Sequence, residues 1–150
     1  MNALKPFDDA LAALIASLTP KARKTLAVTI AKRLRASQQQ RIKRQQAPDG
    51  TPYAARKSQP LRKPKGRIKR EMFAKLRTAR YMKTNSSPDA AVVEFAGRVE
   101  RMAAVHHFGL RDRPSARGKD VQYDERPLLG FDKNTNKDIE SMIYKLLGAG

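Results

Sequence analysis

Apolar residues recur along this chain at spacings that predict four helices and several short strands. In Pro6–Leu18, Leu11, Leu14, Ile15 and Leu18 fall at steps of three and four and make one apolar stripe. Asp8 and Asp9 stand in its first turn, where they complement the positive end of the helix dipole. Thr19-Pro20 restarts the chain: Thr19 suits a cap, and Pro20 suits the first helical position because its missing N–H would have no partner there. A second helix is predicted from Pro20 to about Gln46, with Leu26, Ile30 and Leu34 on one face and Lys or Arg around the others. Ala47–Pro52 ends it with turn chemistry, Pro48-Asp49-Gly50.

The pattern then changes. Tyr53–Arg70 is rich in Lys and Arg, broken by Pro60, Pro64 and Gly66, and reads as an extended mobile loop. Glu71–Arg77 predicts a short helical turn, with Met72, Phe73 and Leu76 on one side. Ala79–Lys83 and Ala90–Ala96 predict a hairpin around the turn Asn85–Asp89. Arg98–Phe108 predicts a helix with Val99, Met102, Ala103 and Val105 or His106 inward, stopped by Gly109. A polar arc, Leu110–Lys119, precedes a strand at Val121–Tyr123 and the compact element Glu125–Phe131. Asn136–Leu147, capped by Asn134 or Thr135, closes the pattern as a helix with Ile139, Met142, Ile143 and Leu146 inward. The predicted class is α+β: N-terminal helices, a small, mainly antiparallel sheet, a C-terminal helix and a long basic loop at about 47–70.

A length of 150 residues points to one domain over 1–150. The formal net charge of +18 changes the picture more. Twenty of the 32 Lys and Arg lie between Lys21 and Arg80, opposed there only by Asp49 and Glu71. The basic partner-contact region is Arg41, Lys43, Arg44, Arg56, Lys57, Arg62, Lys63, Lys65, Arg67, Lys69 and Arg70. Three readings stay open for it: a solvated face, contact with phosphates, or contact with an acidic protein surface. Tyr53 is the only aromatic between Lys21 and Arg70, which leaves base stacking poorly supplied.

Catalytic, metal and cofactor sites find no support in the spacing. There is no Gly-rich phosphate loop and no HExxH motif. Adjacent side chains point about 100° apart on a helix, so His106 and His107 cannot chelate jointly there. Absent cysteines exclude disulfides and thiolate ligands. No apolar run approaches the roughly 18 residues of a membrane span, so no membrane partner is expected. The stretch Val105–Phe131 reads instead as a protein contact: two ordered anchors flank an arginine-bearing arc. Its interface candidates are Phe108, Arg111, Arg113, Arg117, Arg126, Leu128 and Leu129. Arg126 is read either as solvated beside a packed Leu128-Leu129 or as a charge-assisted contact across a subunit boundary.

Six stretches carry a resemblance: Ser37–Ile42 (SQQQRI), Pro48–Tyr53 (PDGTPY), Gly66–Arg70 (GRIKR), Met72–Arg77 (MFAKLR), Val105–Arg113 (VHHFGLRDR) and Arg126–Gly130 (RPLLG). In this order, and over nearly the whole chain, the sequence resembles the phage tail completion protein S family of contractile-tailed phages, also called the phage virion morphogenesis family. The resemblance implies a structural, non-enzymatic protein that finishes the head-proximal end of the tail and makes it competent for head–tail joining. It implies a homo-oligomeric ring at the neck, a hexamer where matched to a six-fold tube, as tail terminators form. Implied partners are other copies of the chain, tail tube and sheath proteins, head-side neck or connector proteins, and the DNA passing through the neck. Implied locations are the virion and, during assembly, the host cytoplasm. The alternative from another class is a nucleic-acid-binding protein acting on phosphates without sequence preference.

Overall fold

In a computed structural model, residues 5–56 and 71–148 are described. The order is α1 (Lys5–Ala16), α2 (Pro20–Lys43), β1 (Met82–Ser86), β2 (Ala91–Phe95), α3 (Gly97–Phe108), β3 (Arg111–Asp112), β4 (Val121–Gln122) and α4 (Lys133–Leu146). The class is α+β, as expected. The strands form two separate two-stranded antiparallel sheets rather than one, β1 with β2 and β3 with β4.

The chain forms two compact units. One takes the chain through Ala36, Thr84–Glu94 and the part from Lys133 onward; the other takes Ser37–Lys83 and Phe95–Asp132. In the first unit, Thr19 caps α2 as expected: its Oγ1 accepts the Ala22 N–H at 3.1 Å. The buried side chains here are Leu26, Ala27, Ala31, Leu34, Thr135 and Ile143. Arg33 on α2 grips Asp138 on α4 through two parallel bonds of 2.6 and 2.9 Å. α4 starts earlier than its sequence suggests. Thr135 is buried inside the helix instead of capping it, and Asp132, a capping residue type, stands immediately ahead.

Ser87 sets where the first hairpin turns. Its Oγ accepts the N–H groups of Asp89 and Ala90, and its own N–H donates to the Ala90 carbonyl at 2.8 Å. The turn therefore lies at 87–90, and Asn85 and Ser86 belong to β1 instead of the turn.

The second unit holds the larger set of buried groups: Gln38, Arg41, Ile42, Ala47, Tyr53, Leu76, Met82, Ala103, Val105, Arg126 and Leu128. On α2 the buried positions 38, 41 and 42 keep helical spacing, and two of them, Gln38 and Arg41, are polar. α3 ends at Gly109 in the left-handed conformation, φ 66°. A Cβ there would lie 2.8 Å from the Glu125 backbone nitrogen. Both the positive φ and this close approach require glycine.

Two segments depart from their sequence pattern. The polar arc contains β3, paired antiparallel with β4 as Arg111 opposite Gln122 and Asp112 opposite Val121. Glu71–Arg77 forms turns rather than a helix. Its Met72 N–H and C=O are both taken by the Gln45 side-chain amide at 2.8 Å, and Phe73 adopts φ 66°. A backbone whose polar groups are already bound in this way has no need of a helical ladder.

Gly109→Ala is expected to lower unfolding free energy by about 2 kcal/mol or more, from left-handed strain plus backbone contact. Urea denaturation monitored by circular dichroism reads this as a reduced midpoint at unchanged slope.

Candidate functional site

The site grows from an arginine that helix periodicity places inside. Arg41, on the last turn of α2, is 2% exposed. Its guanidinium donates to the carbonyls of Leu128 at 3.1 Å and Gly130 at 3.3 Å, to Asp132 Oδ2 at 3.3 Å, and to Gln38 Oε1. That amide oxygen also accepts the Gly130 N–H at 3.0 Å. Arg41 Nε is buried without a partner. Burial pulls the guanidinium below its ordinary pKa, against the pull of the Asp132 contact. An isolated buried cation would be far too costly, so the acceptors around Arg41 are what permit it.

The same segment is held from other sides. Tyr53 is buried and donates its hydroxyl to the Pro127 carbonyl at 2.7 Å. Burial pushes that phenol up to about 12, keeping it a donor. His107 Nδ1 accepts the Leu128 N–H at 3.0 Å. Pro48 lies so close to Gly130 that a Cβ there would meet its ring at 2.5 Å. Arg126 is 6% exposed; it donates to the carbonyls of Ala54 at 3.0 Å and Ala55 at 3.2 Å, and meets Asp124 at 3.5 Å. Its own N–H donates to the His106 carbonyl at 2.8 Å.

Beside this lock runs a row of rings. Tyr53, Phe73, His106 and Tyr123 meet edge to face in succession, with centroids 5.7, 5.1 and 5.0 Å apart. Such pairs contribute beyond their burial. Phe73, His106 and Tyr123 border a cleft of about 390 Å³, to which Arg56 and Arg126 also contribute. His106 and His107 are held below the ordinary imidazole pKa, in both cases chiefly by burial; the Arg126 charge adds to this at His106, while Glu125 opposes it at His107.

The expected site residues therefore part company. Arg41 is corrected outright: it is an internal hydrogen-bond donor, not an exposed partner-contact cation. Arg126 is not solvated, and Leu128 is fully buried. Leu129 is half-buried, whereas Phe108 is 62% exposed. Arg111, Arg113 and Arg117 are exposed on the arc, with Arg113 paired to Asp120 at 3.2 Å. Lys43, Arg44 and Arg56 are exposed. Lys57, Arg62, Lys63, Lys65, Arg67, Lys69 and Arg70, with the Gly66–Arg70 stretch, lie outside the described residues. Sequence reasoning missed Gln38, Gln45 and Tyr53, polar groups that fix backbone from a distance. The available signal was that Gln38 and Arg41 continue the buried face of α2.

The model of the phage virion morphogenesis family matches residues 2–148. The chain belongs to that family. It is 49% identical over 148 residues to the tail completion protein S of Escherichia phage P2, covering 98% of this chain and 96% of that relative. No solved structure matches the chain. Among the described residues, the stretches that carry the family resemblance lie wholly in the second unit. Ser37–Ile42 supplies Gln38 and Arg41; Pro48–Tyr53 supplies Pro48 and Tyr53; Val105–Arg113 supplies both histidines and Gly109. Gln38, Arg41, Pro48, Tyr53 and both histidines close on Arg126–Gly130, and Gly109 abuts Glu125 just ahead of it. Among the described residues, no group of His, Cys, Asp and Glu is arranged to hold a metal, and no helix is long and apolar enough to cross a membrane.

Arg41→Met should destabilise the protein by about 2–4 kcal/mol, because several acceptors lose their donor at once. Arg41→Lys should rescue little, since an ammonium cannot span that fan of oxygens. Urea midpoints of both variants check this. The two histidines also fix a pH response. Their folded pKa values lie below the ordinary 6.5, so the unfolded chain binds protons more readily. Their contribution is fully present above about pH 6.5 and is lost as pH falls through the folded values. Melting temperature should therefore drop on acidification below that point, and His107→Gln should flatten the drop.

Proposed function

We propose that this protein completes the head-proximal end of a phage tail and enables head–tail joining, acting as a homo-oligomeric ring at the neck. The observation that carries the reading is the 49% identity, over nearly the full length of both chains, to a protein named for tail completion. Family membership gives virion morphogenesis; the ring, the neck and the joining step are this proposal's own. A hexamer would match a six-fold tube. The action is structural and non-enzymatic, and it takes place in the host cytoplasm during assembly and then in the virion.

A ring needs a patch on one copy that meets a different patch on the next. The exposed Phe108, the arginines Arg111, Arg113 and Arg117, and half-buried Leu129 supply one such surface, while Arg126 and Leu128 hold its base from within the chain. Lys43, Arg44, Arg56 and the cations of 57–70 would face acidic surfaces of tail tube, sheath or connector proteins, or the DNA passing through the neck. The competing reading, a non-specific nucleic-acid binder, draws on the +18 charge. Tight binding to random duplex with a steep salt slope, without tail-end association, would favour it.

Two outcomes are expected. Tails assembled without this protein should be abnormal in length or fail to join filled heads in negative-stain images; normal tails would refute the assembly role. The double variant Arg111→Glu, Arg117→Glu should keep the parent melting temperature, because both side chains are exposed. Its yield of joined particles should fall by about tenfold or more, from reversed charge at a contact.

A further inference from the structure

The cleft beside the ring row has a wall of definite chemistry. Phe73, His106 and Tyr123 present aromatic edges and faces, Val121 adds an apolar flank, and Arg56 and Arg126 add positive charge. At about 390 Å³ it lies within the roughly 300–1,000 Å³ of clefts that hold ligands. Phe73 is kept at φ 66°, a conformation that bulky residues rarely adopt and that the surrounding contacts enforce. His106 Nδ1 is buried with no hydrogen-bond partner. The cleft is also bordered by β4, a strand of two residues paired to one neighbour, β3, in a two-stranded sheet. A ladder this short gains from an added strand.

We propose that this cleft receives an extended segment of an acidic partner protein, with an aromatic side chain seated against the Phe73–His106–Tyr123 row and a carboxylate facing Arg56 and Arg126. In an extended segment, alternate side chains share a face, so the aromatic and the acid are two residues apart. The backbone between them would run along β4, as in strand addition to a sheet edge. Charge selects among occupants. A second copy of a chain carrying +18 brings more of the same sign. A duplex is too wide for a cleft of this volume. An acidic polypeptide satisfies both the aromatic wall and the arginines. The assignment of such a partner to the phage tail rests on the proposed function above; the peptide chemistry does not.

The test uses the full chain and a defined probe, the blocked peptide acetyl-Ser-Phe-Thr-Glu-Ser-amide. The chain has two histidines, so their ring signals can be followed separately by NMR. The peptide should shift His106 and Tyr123 while leaving His107 nearly still. Replacing its Glu by Gln, or its Phe by Ala, should weaken binding about tenfold or more, as should Arg56→Gln or Tyr123→Leu in the protein. Equal binding of the Gln peptide, or no movement of His106, would overturn the proposal. So would a random single-stranded oligonucleotide that moves the same signals with a steep salt slope, which would make the cleft a nucleic-acid site. Normal tail completion by Arg56→Gln, with peptide binding abolished, would remove the cleft from assembly and leave the tail-completion reading standing.

Discussion

The second unit depends on a buried cation that must be surrounded by oxygen. Arg41 sits where helix periodicity demands an inward side chain, and a guanidinium there is tolerable only if its donors are met. The Leu128 and Gly130 carbonyls, Asp132 and Gln38 meet them. This requirement dictates the path of 128–132, because carbonyls must point back at α2 instead of into a strand ladder. Gly130 follows from the same demand: with its N–H on Gln38 and Pro48 against its Cα, there is no room for a Cβ. Such a lock is directional, so it fixes a loop in one place where apolar packing alone would let it slide.

Polar side chains perform elsewhere in this unit the task that a larger sheet performs in other folds. Gln45 clamps both backbone polar groups of Met72, Tyr53 holds the Pro127 carbonyl, His107 holds the Leu128 amide, and Arg126 holds the carbonyls of Ala54 and Ala55. The β3–β4 pair in this unit is two residues long and satisfies few backbone groups. The loops that follow α2 and α3 must find partners in side chains instead. That explains why a modest apolar content suffices, and why several polar residues are buried where a sheet-rich domain would place Val or Ile.

The helices were legible because their signals are local. The Thr19 cap, the Gly109 stop and the three-and-four spacing in α2 and α4 are each readable within a few residues. The hairpin was legible in kind but displaced in its turn, since Ser87 rather than Asn85 supplies the closing hydrogen bonds. The helical pattern at Met72, Phe73 and Leu76 misled because its competitor, the Gln45 amide, lies 27 residues away in sequence. The site was half legible. Exposure of Phe108 and the arc arginines matches their reading as surface groups. Arg41 and Arg126 could not be read as buried from composition, because a chain rich in cations hides the few that turn inward. For Arg41, the register of α2, carried past Leu34 to Gln38 and Arg41, holds that information; Arg126 has no such local signal.

The arrangement also separates what holds the unit from what it can offer. Arg41, Leu128 and Tyr53 are committed inside, and Arg126 donates to Ala54, Ala55 and Asp124, so any partner contact must draw chiefly on groups that the fold leaves exposed. Those are the arc arginines, Phe108 and the rim of the aromatic cleft. Because Arg126 anchors the cleft wall while bonded to Ala54 and Ala55, a partner docking in the proposed site would meet a surface already ordered by internal bonds. Little side-chain entropy is then lost on binding. The buried lock and the exposed cleft meet at Arg126 and where Tyr53 packs against Phe73. A substitution that loosens the lock is therefore felt at the cleft.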